Sequence, residues 1–210
     1  MEIRNRLRLA AAMSLLLAAA TAAGQGAPRM PPAVENLSST QPDGTRTLEL
    51  RVVVPAGVPA VWEAVATAEG FRTWAAPVVG GEFRLGGAIE ASYDFAARIG
   101  DRENIRNQIV AMVPQRMLAI RNVQAPTKAP FDVASFQSLH TVMFLEPRGA
   151  DATAVTLVTP GVGSGPANDG VYKHFEWGNA YSLDMLRRRF VDGPRDWAKL
   201  EAEMKARAAK

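Results

Sequence analysis

The chain of 210 residues contains no cysteine and only two histidines, His140 and His174. Without cysteine it forms no disulfide, has no thiolate nucleophile and offers no sulfur ligand to a metal. The two histidines do not form a His-x-x-x-His pair, so we expect neither a metal site nor a cofactor. Stability must therefore come from packing alone, which suits a chain that enters an oxidising compartment.

The central part of the chain also lacks net positive charge. The formal net charge is +3 and the pI is about 9.5. Residues 1–24 contribute a net +2 and residues 195–210 another +2, which leaves about −1 for the residues between them. Such a domain lacks the basic surface that binds phosphate backbones, so we expect no nucleic-acid partner.

The first 24 residues have the pattern of an export signal. Three arginines precede an apolar run over residues 9–20, and small residues follow around Ala22 to Gly24, where we expect cleavage. The run of about 12 residues is shorter than the roughly 20 that span a hydrocarbon core, so we expect no permanent membrane anchor. We predict a periplasmic or secreted protein, and the Ala- and Arg-rich signal indicates a bacterial host.

The rest of the chain is long enough for one domain with a substantial core, and its composition is that of an ordinary globular protein. Residues 25–44 are rich in Pro, Ser, Asn and Gly and lack periodicity, which predicts a disordered linker. We place the folded domain at residues 45–192 and a charged helical tail at residues 193–210.

The domain begins with a strand and two short helices. Residues 47–54 alternate, with aliphatic side chains on one face: Leu48, Leu50, Val52 and Val54. Pro59 fits the first turn of a helix that ends near Ala66, and a second short helix is predicted over residues 68–73. The stretch from Arg51 to Gly87 therefore indicates a container, a fold whose sheet curves around an interior.

Further strands and one long helix follow. Alternation and turn residues predict strands over residues 88–95, 104–113, 116–123, 136–146 and 153–158. A glycine-rich loop over residues 160–170 leads to a helix over residues 171–191, where apolar and aromatic residues recur at three- and four-residue steps. Gly193 and Pro194 end this helix.

This order of elements resembles the START and polyketide-cyclase superfamily, also called SRPBCC, over roughly residues 45–191. The branch it most resembles is that of the activator-of-heat-shock-ATPase homologues. The matching motifs are Pro59-Ala60-Val61-Trp62, Trp74, Gly86-Gly87, Val113-Pro114 and the Thr-rich strand at residues 152–158. The resemblance implies an α+β helix-grip fold, in which a curved antiparallel sheet wraps around a long C-terminal helix, with two short helices after the first strand.

The same resemblance implies a mostly apolar cavity between the sheet and the helix, and concave apolar sites bind small molecules. Candidate ligand-binding residues are Trp74, Tyr93, His140, Phe175, Asn179 and Tyr181. Ordinary core or rim packing is the alternative interpretation of each aromatic residue. A co-chaperone role is not carried over, because an exported protein does not meet the intracellular heat-shock ATPase.

The orientation of His140 is left open by the sequence. In the predicted strand over residues 136–146, the face that carries His140 and the opposite face are equally apolar. If His140 faces inward, it is a candidate acid or base. His174, near the start of the long helix, is expected to be exposed.

Three hypotheses follow. The first is an exported soluble protein that binds a small hydrophobic molecule without covalent chemistry. The second is a polyketide cyclase or aromatase-like enzyme in which His140, with Asp94 or Arg116, steers proton transfer. The third is an interaction module of the cell envelope with a collapsed cavity.

Overall fold

The computed structural model describes residues 29–208, which form nine strands and five helices. The strands are β1 (Val34–Asn36), β2 (Ser39–Thr40), β3 (Arg46–Val54), β4 (Val78–Gly81), β5 (Ala88–Ser92), β6 (Ile105–Val113), β7 (Met117–Gln124), β8 (His140–Pro147) and β9 (Thr153–Val162). The helices are α1 (Val58–Ala66), α2 (Ala68–Arg72), α3 (Val133–Ser138), α4 (Pro166–Val191) and α5 (Trp197–Ala208).

All strands belong to one antiparallel sheet in the order β1-β3-β9-β8-β7-β6-β5-β4, with β2 paired to β3 outside this path. The sheet is curved, and α4 packs against its inner face. Val171, Phe175, Leu183 and Leu186 of α4 join the aliphatic residues of β3 and β9 in the main core. The predicted α+β helix-grip fold is confirmed.

The alternation in β3 fixes which face of the sheet is inside. Leu48, Leu50, Val52 and Val54 are at most 1% exposed, and β9 pairs with β3 along most of its length. A shift of one residue would place all four side chains on the outer face, so burial of this face specifies the register.

The two short helices build one wall of the interior. Pro59 lies in the first turn of α1, where its missing N–H leaves no hydrogen bond unmade. The Thr67 hydroxyl caps α2 by accepting a hydrogen bond from the Gly70 N–H at 3.0 Å. Trp74 follows α2 and donates its indole N–H to the Ala64 carbonyl at 2.9 Å, which fixes the ring between the two helices and the core.

The long helix begins earlier than its predicted start at residue 171. Gly165 has a φ of 98°, a conformation that favours glycine, and Pro166 then enters the first turn of α4. The predicted loop over residues 160–170 is therefore divided between the end of β9 and the start of α4. The helix ends at Val191, and Gly193 has a φ of 93°, as expected for a residue after a helix C-terminus.

The predicted disordered linker over residues 25–44 is wrong from Val34 onward. β1 pairs with residues 50–52 of β3, and β2 pairs with residues 46–47. Val34 is buried in the core, and the backbone of β1 pairs with the edge of β3. Alternation over three residues is too short to be recognised against a polar background.

The predicted strand over residues 136–146 is also wrong in its first part. Asp132 accepts a hydrogen bond from the Ser135 N–H at 2.7 Å, which caps the short helix α3. The strand β8 begins only at His140, after Leu139. The cap residue precedes a run of apolar residues that fits a short helix and a strand equally well.

The predicted export signal over residues 1–24 lies outside the described residues. Between residues 29 and 208, none of the helices combines the length and the hydropathy that crossing a membrane requires.

Candidate functional site

A cavity of about 260 Å³ lies between the inner face of the sheet and α4. The collapsed cavity of the third hypothesis is therefore not what the fold contains. The lining is mostly apolar, and its described residues include no Asp, Glu, Lys or Arg. The larger lining side chains are Phe71, Trp74, Ile89, Tyr93, Ile105, Asn107, Leu118, Ile120, Asn122, Phe136, Thr141, Met143, Leu157, His174, Phe175 and Asn179.

The lining follows from the two periodicities of the fold. Inward positions of β5 to β9 alternate along each strand, so Ile105 and Asn107 of β6 both reach the cavity. On α4, residues 174, 175, 178, 179 and 182 lie on one side of the helix and face the sheet. Gly178 is among these residues, and a Cβ atom added there would meet no other heavy atom within 4 Å.

Four of the six predicted ligand-binding residues line this cavity: Trp74, Tyr93, Phe175 and Asn179. Trp74 is 4% exposed and Phe175 is 9% exposed. Trp74 is the last residue of the short-helix wall, and Asn179 lies one turn after Phe175. Their placement agrees with a role in ligand binding, which remains a prediction.

The other two residues do not line the cavity, and their predicted placement there is wrong. His140 is exposed on the outer face of β8, because Thr141 and Met143 occupy the inward positions. Tyr181 lies two positions beyond Asn179, a step that turns it away from the cavity. Its ring stacks on Trp177 with centroids 5.6 Å apart, and its hydroxyl accepts a hydrogen bond from Arg195 at 3.3 Å.

The histidine that lines the cavity is His174 and not His140. It was expected to be exposed, but its ring packs against Phe131 with centroids 4.5 Å apart. The loop before α3 brings Phe131 over this helix turn, which the sequence pattern of α4 does not indicate. Partial burial lowers the pKa of His174 below its ordinary value of 6.5, which favours the neutral form of the ring at pH 7.

The buried state of His174 predicts a pH dependence of stability. In the unfolded chain His174 takes up a proton as the pH falls through about 6.5, whereas in the folded chain it does so only at lower pH. The unfolded state then binds more protons, so the free energy of unfolding decreases as the pH falls from about 6.5 towards the folded pKa. We expect His174→Gln to reduce this decrease, measured by urea denaturation between about pH 5 and 8.

His140→Gln is the control for the loss of a histidine outside the cavity. The lowered pKa values of Asp43, Glu103 and Asp132 act below their ordinary values of 3.8 to 4.5 and lie outside this window. A wild-type profile that is flat above pH 5 would contradict the burial of His174.

Two buried amide atoms at the cavity lack a hydrogen-bond partner in the protein. Among residues 29–208, four buried side-chain polar atoms are unpartnered, and two of them belong to cavity residues: Asn107 Oδ1 and Asn179 Nδ2. One is an acceptor on the sheet and the other a donor on the helix. A buried polar group without a partner costs about 1–3 kcal/mol, so a ligand that paired with either atom would gain a hydrogen bond.

Two other polar residues of the lining, Asn122 and Thr141, have partners within the protein. Asn122 donates its Nδ2 to the Phe136 carbonyl at 3.1 Å, and the Thr141 hydroxyl pairs with Thr159 at 2.9 Å. Asn107 was missed by the sequence analysis. The sequence does indicate it, because an amide lies between Ile105 and Ile109 on one face of a strand. The same kind of pattern, a polar residue on an apolar face, had identified Asn179 on the helix.

Tyr93 forms part of the rim of the cavity. It lines the interior and is still 36% exposed, and it begins a loop that Glu90 holds in place. The carboxylate of Glu90 is 5% exposed and accepts a hydrogen bond from Asn104 Nδ2 at 2.6 Å. Burial of its hydroxyl raises the pKa of Tyr93. The phenol group of Tyr181 raises this pKa further, whereas the positive charge of Arg195 lowers it.

Comparisons with known proteins agree with this fold. Neither a protein-family model nor a curated protein sequence matches the chain. The chain is similar to the solution structure of the Aha1 dimer from Colwellia psychrerythraea, with 14% identity and a TM-score of 0.53 over 70% of this chain and 97% of that one. It is also similar to the crystal structure of CalU16 from Micromonospora echinospora, with 21% identity and a TM-score of 0.53 over 82% of this chain and 92% of that one.

A third similar structure is a conserved protein of unknown function from Enterococcus faecalis, with 10% identity and a TM-score of 0.51 over 74% of this chain and 76% of that one. At these identities the similarity concerns the fold. The comparisons therefore show the helix-grip fold and nothing finer.

Proposed function

We propose that this chain binds a compact, mostly apolar molecule that carries a hydrogen-bonding group, in the cavity between the sheet and α4. The observation that carries this proposal is the pair of unpartnered amide atoms, Asn107 Oδ1 and Asn179 Nδ2, within a mostly apolar lining. Ligand sites commonly combine an apolar surface with a few polar groups that fix orientation. An acceptor on the ligand would pair with Asn179, and a donor would pair with Asn107.

The size of the cavity restricts the ligand. Its volume of about 260 Å³ is slightly below the roughly 300–1,000 Å³ that ligand pockets occupy. Molecules of one or two fused rings, or short branched chains, are of the appropriate size. Because the described lining contains no charged side chain, the part of the ligand inside the cavity should be neutral.

The same lining favours binding over proton-transfer catalysis. His140, which the enzyme hypothesis assigned to proton transfer, lies on the outer face of the sheet. His174 is the titratable group that the cavity has instead, apart from Tyr93 on the rim, and no described carboxylate lines the cavity beside it. An acid and base pair of the kind that steers enolisation would need a second such group.

We further propose that the protein works after export, with its N-terminus near Gly24. The support is the basic, apolar and small-residue order of residues 1–24. In that compartment an apolar carrier prevents its ligand from partitioning into membranes, whereas an intracellular ATPase is not a partner.

Native mass spectrometry of the protein purified from its own host tests both statements. We expect a chain mass that begins near Gly24 and an additional noncovalent mass that is lost on denaturation. A fluorescent apolar probe, N-phenyl-naphthylamine, should then bind the stripped protein and be displaced by the released compound. A ligand-free mass together with no probe binding would contradict the binding function, and an uncleaved chain would contradict export.

A further inference from the structure

Beside the cavity lies a second concave surface, the arginine groove, between the C-terminal end of α4 and the residues after α2. It has a volume of about 450 Å³ and shares Trp74 with the cavity as a common wall. The arginine groove is lined by Thr73, Trp74, Tyr181, Asp184, Met185, Arg188, Arg189, Asp192, Gly193, Pro194 and Arg195.

The positive charges of this groove fall into two groups. Arg188, together with the neighbouring Arg187, is paired with the buried carboxylate of Asp184, at 2.7 and 3.1 Å respectively. Asp184 is thereby neutralised by two guanidinium groups. Asp192 is exposed at the edge of the groove.

Arg189 and Arg195 have only uncharged partners. Arg189 Nε donates to the Thr73 hydroxyl at 2.9 Å, and Arg195 Nη1 contacts the Tyr181 hydroxyl at 3.3 Å and the Met185 sulfur at 2.8 Å. Within residues 29–208 neither forms an ion pair with a carboxylate. A guanidinium has five N–H donors, so both retain donors and a full charge for an anion.

The arginine groove adjoins the cavity at Trp74, which lines both surfaces. Tyr93 also lines the cavity and is partly exposed. Arg195 is held in position from both sides: its backbone N–H donates to the Thr73 carbonyl at 2.9 Å, and its guanidinium lies 5.0 Å from the centroid of the Trp197 ring. The cation is thus placed outside the apolar cavity, in a groove that shares the Trp74 wall with it.

We infer that the ligand is a compact apolar acid, with its apolar body in the cavity and its anionic group bound by Arg189 and Arg195. This inference rests on the proposed binding function and specifies the chemical class of the ligand. Guanidinium groups bind carboxylates and sulfonates through paired, charge-assisted hydrogen bonds. The division of the site also explains how an anion is recognised when the interior contains no cation.

Two probes that share one apolar body test this inference on the full mature chain. Anilinonaphthalene sulfonate carries an anionic group, and N-phenyl-naphthylamine is the same body without it. Loss of a charge-assisted hydrogen bond should weaken sulfonate binding about tenfold in Arg189→Gln/Arg195→Gln. The affinity for N-phenyl-naphthylamine should stay within about twofold, because the cavity is unchanged. Arg148→Gln, at an exposed arginine outside both surfaces, is the matched control and should change neither affinity.

Further variants separate recognition of the anion from support of the wall. Arg195→Lys should recover part of the sulfonate affinity, since it retains the charge without the fork. The single variant Arg189→Gln leaves the Arg195 contacts intact and serves if the double variant unfolds. Equal losses of affinity for both probes would show that the arginines only support the wall. Unchanged affinity for the sulfonate would show that they do not bind the anion. Either result overturns the inference and leaves the binding function intact. If the wild-type protein binds neither probe, both proposals fail together.

Discussion

Asn179→Leu should make the ligand-free protein more stable and at the same time weaken ligand binding. The Asn179 Nδ2 atom is buried without a partner, and an unsatisfied buried donor costs about 1–3 kcal/mol. Leucine has the same number of side-chain heavy atoms with the same branching, places no polar atom in the cavity and favours the helix more than asparagine does. We therefore expect the free energy of unfolding, measured in urea with the ligand removed, to rise by about 1–3 kcal/mol.

Binding should change in the opposite direction for ligands that carry an acceptor. Acetylnaphthalene and ethylnaphthalene differ by one carbonyl oxygen, and each displaces N-phenyl-naphthylamine if it enters the cavity. The wild-type protein should prefer the ketone, and Asn179→Leu should reduce its affinity about five- to tenfold while leaving the hydrocarbon unaffected. The difference between the two compounds isolates the hydrogen bond from any change in cavity shape.

Asn122→Leu is the matched control, because this amide also lines the cavity but has a partner. Its Nδ2 donates to the Phe136 carbonyl at 3.1 Å, so the same substitution should destabilise the protein by about 1 kcal/mol. Opposite signs for the two asparagines distinguish a binding group from a structural one. If both substitutions destabilise the protein, Asn179 has a structural partner and its role in binding is contradicted.

The fold was predictable because each of its main signals is periodic and strong. The four aliphatic residues of β3, the proline that opens α1 and the glycine after α4 each agree with the local structure they predicted. Their order along the chain then limits the architecture, since a run of antiparallel strands with one long helix has to bury both apolar surfaces against each other.

The candidate site was less predictable, because it depends on the choice between two faces of a strand. Residues before and after His140 are apolar on both faces, and the core contacts of β8 with β7 and β9 decide that Thr141 faces inward. A one-residue difference in register exchanges the two faces completely. His174 was misplaced for a related reason: its burial comes from Phe131, which is distant in sequence and reaches α4 only through tertiary packing.

Polar residues on apolar faces were the more dependable indicator of the site. Asn179 was identified by this reasoning, and Asn107 satisfies the same condition between two isoleucines. Such a residue has to find a partner after folding. Whether the partner is another side chain, as for Asn122, or a ligand, as we propose for Asn107 and Asn179, depends on distances that the sequence does not contain.

Gly178→Leu should close the cavity, stabilise the protein and abolish binding. Gly178 lies in the middle of α4 and lines the cavity, and a Cβ atom added there meets no other heavy atom within 4 Å. Glycine within a helix costs about 1 kcal/mol relative to alanine. Leucine removes this cost and fills apolar space, so the free energy of unfolding should rise by about 1–3 kcal/mol. The affinity for N-phenyl-naphthylamine should fall more than about tenfold, measured by fluorescence titration.

Gly170→Leu provides a control within the same helix. Gly170 is exposed, and an added Cβ atom there also meets nothing within 4 Å, so this substitution should give only the gain in helix propensity and leave binding unchanged. Gly178→Ala, which adds one carbon, should give the gain in stability with a smaller loss of affinity and serves if leucine overfills the space. Wild-type affinity in Gly178→Leu would place the bound probe outside the cavity. At Gly178 the chain has a residue that lowers the stability of α4 and leaves space for a ligand between this helix and the sheet.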